Sequence, residues 1–178
     1  MTLRRINRLT ALAILPMMAI AVTWAVRSGV GAPTALPPVE GTIVVADLRG
    51  EALIYLRASD GMPLQRLALP GPPHEMAADG DDLYVTLGRG NALAEVAAGG
   101  LGILRLVKLE GEPHGLALDD SQLLVTLDAG SRLAHIDRTS LAIMGNDPTG
   151  DTPHAVAVDT EGDIYVTDSR DNRLRQLK

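Results

Sequence analysis

An all-β fold built from repeated four-stranded sheets is what this sequence predicts, and three observations predict it. Four segments align with one another: TIVVADLRGEAL from Thr42, DLYVTLGRGNAL from Asp82, QLLVTLDAGSRL from Gln122 and DIYVTDSRDNRL from Asp163. Their central valines, Val45, Val85, Val125 and Val166, are spaced by 40, 40 and 41 residues. A second marker upstream keeps the same step, since Pro73-His74, Pro113-His114 and Pro153-His154 recur at 40 and 40. Self-similarity at this period marks an array of supersecondary units, each of which buries its apolar face against the next.

Within each unit, short alternating apolar runs are broken by Gly, Asp, Asn and Ser, the rhythm of strands joined by tight turns. The second unit predicts strands at His74–Ala78, Leu83–Leu87, Ala92–Ala98 and Ile103–Leu109; the third predicts Gly115–Leu118, Leu123–Leu127, Leu133–Asp137 and Leu141–Met144. Four strands in about forty residues is the size of a propeller blade. Helical repeats need longer runs with a 3.6-residue period, and these runs are too short and too interrupted.

The first and last units are incomplete. The fourth stops after its third strand, Arg173–Leu177, and the first has an innermost strand only if Thr34–Val39 supplies it. The chain therefore holds about 3.5 to 4 blades, in units near residues 42–73, 74–113, 114–153 and 154–178, whereas propellers typically close with four to eight. A compressed four-bladed ring, a half-propeller that pairs with its own copy as a homodimer, and a fragment of a longer propeller are the three ways to read that count. The split or truncated form is favoured over a complete monomeric ring.

Ahead of the repeats lies a segment of different character. Met1 to Arg27 carries Arg4, Arg5, Arg8 and Arg27 and no acid, while the remainder, with 12 basic and 22 acidic residues, has a net charge of −10. Leu9 to Val26 is an uncharged run of 18 residues. As a helix it would be roughly 27 Å long, enough to cross a bilayer through residues 9–26. The basic flank precedes it, which places the N-terminus in the cytoplasm and the acidic body outside. Small-x-small cleavage sites are poor: Thr23-Trp24-Ala25 has a bulky centre, and Val30-Gly31-Ala32 is followed by Pro33. Residues 1–27 thus read as a signal anchor or a cleaved signal peptide, and either places the body outside the cytoplasm, as a single-pass membrane protein or a secreted or periplasmic one. Residues 28–41, SGVGAPTALPPVEG, read as a Pro/Gly-rich linker to the propeller at 42–178.

Composition excludes several chemistries. The chain has no Cys, which removes disulfides, thiolate metal sites and cysteine nucleophiles. Nucleic acid is not an expected partner, because the acidic body lacks a basic stripe and has neither Trp nor Phe to stack bases. No nucleophile elbow, P-loop, zincin or dinucleotide-binding fingerprint is present.

The strings PHEMAADGDDLYVT, PHGLALDDSQLLVT and PHAVAVDTEGDIYVTDSRDNRL resemble the repeats of NHL-type and YVTN-type β-propellers. That superfamily includes streptogramin lyase and peptidyl-hydroxyglycine amidating lyase. The resemblance covers Thr42 to Lys178 and implies the fold; for function it implies a range, from binding scaffolds to sensor ectodomains and enzymes.

His74, His114 and His154 are the candidate site. They occupy one position in consecutive units, where the innermost strand starts beside the central axis. Three converging imidazoles could hold one zinc-like divalent ion with open positions for water or substrate. In the resembling lyases, histidines from separate blades line the central site and bind or work beside a metal. Against this stands a packing role, in which each imidazole bonds the neighbouring blade's loop, and convergence depends on the blade number. Glu75 is the one acid kept as a fourth ligand or base. His135 lies outside the repeat register and reads as a surface or turn-bonded residue. Asp47 and Asp168 read as turn residues, and Tyr84 and Tyr165 as packing between sheets. No complete catalytic set emerges. The expectation is therefore a binding or scaffold module for a protein, glycan or small-molecule ligand, with a metal-dependent lyase or hydrolase as the alternative.

Overall fold

A computed structural model describes the backbone of residues 11–14, 19–24, 41–100 and 102–177, and the side chains of 41–100 and 102–177. It contains four antiparallel sheets in chain order. Blade I comprises β1 (Ala11–Ile14), β2 (Ala19–Trp24), β3 (Thr42–Asp47), β4 (Ala52–Arg57) and β5 (Pro63–Ala68). Blade II follows with β6 (Pro73–Asp79), β7 (Asp82–Leu87), β8 (Ala92–Ala97) and β9 (Ile103–Lys108). Blade III has β10 (Pro113–Leu118), β11 (Gln122–Leu127), β12 (Arg132–Asp137) and β13 (Ile143–Pro148), and blade IV has β14 (Pro153–Val158), β15 (Ile164–Asp168) and β16 (Arg173–Leu177). Each sheet is a simple meander, so sequence neighbours are also ladder neighbours.

The turn chemistry explains why the meanders form where they do. Glu51, Asn91, Ser131 and Asn172 all hold φ between 47° and 51° at equivalent turns, those joining β3 to β4, β7 to β8, β11 to β12 and β15 to β16. Asn tolerates this left-handed conformation best. Asn91 also accepts the Glu112 N–H at 3.0 Å, which ties the turn to the connection into blade III. One strand begins later than the pattern predicts. Leu141 is a turn residue at φ 57°, its N–H bonded to the Asp137 carbonyl at 2.8 Å, so the outer strand starts at Ile143.

Blades stack through apolar faces that alternate along each strand. Val44, Leu53 and Tyr55 of blade I pack with Leu83, Val85 and Val96 of blade II. The opposite face of blade II, through Tyr84 and Leu93, packs with Leu123, Val125 and Ile136 of blade III. Leu124 and Leu133 of blade III then meet Ile164 and Val166 of blade IV. Polar links reinforce the stack: Arg138 in blade III pairs with Asp79 in blade II at 2.6 Å. Arg105 bonds the Glu95 carboxylate in its own blade and the Thr139 carbonyl of blade III at 2.7 Å.

Among the described residues, strands pack between blades I and II, II and III, and III and IV, with no comparable packing of blade IV on blade I. The described residues thus form four blades in series, with blade IV not packed on blade I.

The amino-terminal segment departs from the expected apolar helix. Its described parts are strands, and β2 pairs with β3 in the register Ala19↔Asp47 through Trp24↔Thr42. Two physical reasons favour this. Pro16 interrupts the apolar run and disfavours an unbroken helix. In addition, β3 occupies the place that β7 and β11 occupy in their sheets, where an inner strand always satisfies its backbone edge. Among the described residues no helix is long and apolar enough to cross a membrane. The linker at 28–41 and the alternative inner strand at Thr34–Val39 fall, but for Gly41, outside the described residues.

Candidate functional site

The three repeat histidines come together. Each lies in a β-bulge, because the pairing of inner and second strands shifts between Pro73 and Met76, Pro113 and Leu116, and Pro153 and Val156. A bulge leaves one residue out of the ladder and re-aims its neighbours. The N–H after each histidine is freed and is accepted by a threonine hydroxyl on the second strand: Glu75 by Thr86 at 2.9 Å, Gly115 by Thr126 at 2.7 Å and Ala155 by Thr167 at 3.0 Å.

The same hydroxyls bind the next blade. Thr86 Oγ1 donates to the His114 carbonyl at 2.6 Å, and Thr126 Oγ1 donates to the His154 carbonyl at 2.9 Å. Thr86 and Thr126 are thus clasps, each fixing the following blade's histidine against its own blade. Glycine makes room at two contacts. A Cβ on Gly88 would stand 2.5 Å from His74 Nε2, and one on Gly115 would stand 2.4 Å from the His154 carbonyl oxygen. Reasoning from sequence passed over these threonines, although the signal was present in the repeated Val-Thr pairs at 85–86, 125–126 and 166–167.

Clasped in this way, the imidazoles form a row. The His74 and His114 ring centroids are 4.3 Å apart and those of His114 and His154 are 3.9 Å apart, with planes tilted by 48° and 43°. Burial, followed by the neighbouring charges of His154 and His74, holds the central His114 imidazole down to about 4. His74 is lowered too, first by burial and then by His154, with Glu112 acting in the opposite sense. The row is uncharged at neutral pH at these two positions. A neutral imidazole offers one N–H donor and one acceptor nitrogen. Among the described residues, no protein hydrogen bond engages a ring nitrogen of the three.

His135 shows the contrast. Its ring bridges Gln122 at 2.9 Å and Asp147 at 3.0 Å across three strands, so both nitrogens are used inside the protein. Glu75 is half-buried, and burial raises its carboxyl above the usual range. Among the described residues, no group of three or more His, Asp or Glu side chains is arranged to hold a metal ion. The rings lie side by side in a tilted row.

The remaining expectations resolve individually. Asp47 accepts the Gly50 N–H at 2.8 Å, as a turn residue should. Asp168 is fully buried; it accepts the Gly150 N–H at 3.1 Å and pairs with Arg175. Tyr84 is buried between blades II and III, whereas Tyr165 stands on the uncovered side of blade IV with its hydroxyl 3.3 Å from Asp159. A separate hollow, at the outer strands of blades II and III, is lined by Lys108, Glu110, Arg132 and Asn146 and includes none of the three histidines.

Comparison with known proteins agrees with this architecture. The NHL repeat model matches residues 151–177. No curated protein matches the chain in sequence. Among solved structures, the chain superposes on Kuenenia stuttgartiensis hydrazine synthase with a TM-score of 0.65 and 14% identity, covering 86% of this chain and 53% of that one. The WD40 β-propeller domain of Doa1 gives a TM-score of 0.69 at 12% identity, over 77% of this chain and 46% of that one. A catalytically inactive histidine-to-alanine variant of Staphylococcus aureus virginiamycin B lyase, determined with quinupristin, gives 0.69 at 18% identity, over 98% of this chain and 68% of that one. The chain spans about half the length of the first two. At these identities the likeness is one of fold.

Proposed function

We propose, from the premise that the chain is a β-propeller carrying an NHL repeat, that it is an extracytoplasmic binding module whose ligand site is the histidine row. One observation carries this reading: three imidazoles lie in a row, two of them held neutral, and among the described residues no protein hydrogen bond engages their ring nitrogens. Such a row suits hydrogen bonding to an uncharged or weakly polar group on a protein, a glycan or a small molecule. The test is an array of glycans and peptides probed with the chain and with its triple His74, His114, His154→Ala variant, both verified as folded. Binding lost in the variant supports the site. Equal binding by both would move the ligand elsewhere.

A second reading is a metal-dependent lyase or hydrolase. It is favoured by the structural likeness to a lyase whose histidine-to-alanine variant is inactive. Here His74, His114 and His154 would take a zinc-like ion and Glu75 would complete the set. Elemental mass spectrometry of the folded chain decides it: near-stoichiometric metal that is lost in the triple variant supports this reading, and metal-free protein without turnover removes it.

Export is supported by the charge pattern, four arginines and no acid in residues 1–27 ahead of an acidic body. A membrane-spanning segment at 9–26 and a strand at Ala19–Trp24 exclude each other in one molecule. Fractionation with N-terminal sequencing distinguishes the forms. Recovery in membranes means an anchored protein, release after cleavage means a secreted or periplasmic one, and an intact chain in the cytoplasm contradicts export.

A further inference from the structure

We infer that the uncovered face of blade IV docks against the uncovered face of blade I in a second copy of this chain, so that two chains close one eight-bladed ring. The observation is a break in register equivalence. Leu53, Leu93 and Leu133 occupy one position in blades I, II and III and are each 0% exposed, while Leu174, at the same position in blade IV, is 68% exposed. Threonine follows the same rule. Thr86 and Thr126 are fully buried and clasp the next blade's histidine carbonyl, while Thr167 is exposed, accepts the Ala155 N–H and, among the described residues, donates to no further carbonyl. Tyr165, the counterpart of the buried Tyr84, lies on that same face.

The matching half is in the same chain. Ile43, Val45 and Leu56 of blade I are only half-buried, whereas their counterparts in blade II, Leu83, Val85 and Val96, are 0% exposed because blade I covers them. Among the described residues, therefore, no blade packs on the outer face of blade IV or on the outer face of blade I. Each missing surface is of the type the other supplies at three internal interfaces. A rotation of one copy by half a turn about the propeller axis would make both contacts at once, which closes the assembly and removes its exposed sheet faces. Four blades in each chain give eight, within the range that propellers use. The chain also spans about half the length of the WD40 propeller domain it superposes on.

The internal interfaces specify the contact. Leu133 of blade III packs in the same cluster as Val166 of blade IV, so Leu174 should meet the partner's counterpart of Val166, which is Val45. Since the chain has no cysteine, an engineered pair is unambiguous. The experiment mixes full-length Val45→Cys with full-length Leu174→Cys under mild oxidation, with each variant alone as control. Light scattering of the unmodified chain across a dilution series accompanies it. The expected result is a covalent dimer from the mixture, little from either variant alone, and a molar mass of twice 18.8 kDa at high concentration. Leu174→Glu, with an unchanged circular dichroism spectrum, should reduce that mass to the single chain. A monomeric unmodified chain at every concentration overturns the proposal, and so does cross-linking of Leu174→Cys to itself, which would require another geometry.

Discussion

The interface between blades II and III and the uncovered side of blade IV are written in almost the same residues, yet only one of them is an interior. At the closed interface Leu93 is sealed and Thr86 reaches the next histidine; on the open side Leu174 and Thr167 stand exposed. The difference teaches that the repeat encodes faces, and that burial is conferred by the neighbour. Identical side chains should therefore carry different energies in the two regions, and four substitutions or conditions exploit this.

The largest contrast is in leucine. Leu133→Ala empties a fully buried position between blades III and IV and should cost about 3 kcal/mol in urea unfolding. Leu174→Ala, measured at concentrations too low for association, should cost less than about 0.5 kcal/mol. Comparable losses at both sites would show that blade IV is covered within a single chain.

Acid should act next most strongly, and at the closed row. His114 titrates in the fold at about 4, below the 6.5 of an unfolded histidine, so the unfolded state binds the proton first as pH falls. The stability this neutral, buried ring contributes is fully present above pH 6.5 and is lost as pH drops toward 4. Given the ring's partial exposure, the loss is of order 1 to 3 kcal/mol. Thermal unfolding between pH 7 and 4 measures it, and His114→Asn should flatten the slope. A slope unchanged by that substitution would assign the acid sensitivity to other groups.

The clasps provide a third contrast. Thr126→Val leaves the Gly115 N–H and the His154 carbonyl without their partner in a buried setting and should cost about 1 to 3 kcal/mol. Thr167→Val strands only the exposed Ala155 N–H and should cost under about 0.5 kcal/mol in dilute solution. Nuclear magnetic resonance of the ring signals adds a structural reading, because loss of the Thr126 clasp should shift His154 more than His74.

The smallest effect is a gain. Tyr55 is sealed between blades I and II, and its buried hydroxyl has no hydrogen-bond partner among the described residues. Burial raises that phenol well above its ordinary value. Tyr55→Phe should leave stability unchanged or raise it by up to about 1 kcal/mol, as removal of an unsatisfied buried polar group does. A clear loss in denaturant unfolding would reveal a partner for the hydroxyl.

Much of this architecture was legible because the repeat repeats its chemistry. The spacing of Val45, Val85, Val125 and Val166 located β3, β7, β11 and β15, and the Pro-His pairs located the inner strands of blades II to IV. Leu141 misled because apolar character alone does not distinguish a strand start from a buried turn residue held at positive φ. The N-terminal run is open to two readings for a related reason. Hydropathy reports that Leu9 to Val26 avoids water without saying what it avoids water against, and a sheet edge at β3 competes with a bilayer for it.

The site was half visible. Equivalence in the repeat placed His74, His114 and His154 at one position in consecutive blades and made their convergence depend on the blade number; in the structure adjacent rings are neighbours. The tilted row itself could not be read from spacing, because it depends on the bulge after each proline and on Thr86 and Thr126 drawing successive blades together. The role of Glu75 was equally hidden: its backbone joins the clasp, while its carboxyl is set by burial.

Hydroxyl-radical footprinting of the full chain, read at Leu133 and Leu174 over a dilution series, tests most directly the claim that one repeated face is buried or bare according to its neighbour. Leu133 should stay unlabelled throughout, while Leu174 should be protected at high concentration and become strongly labelled on dilution. Protection of Leu174 equal to that of Leu133 at the lowest concentration, or full labelling of Leu174 at every concentration, would contradict the account.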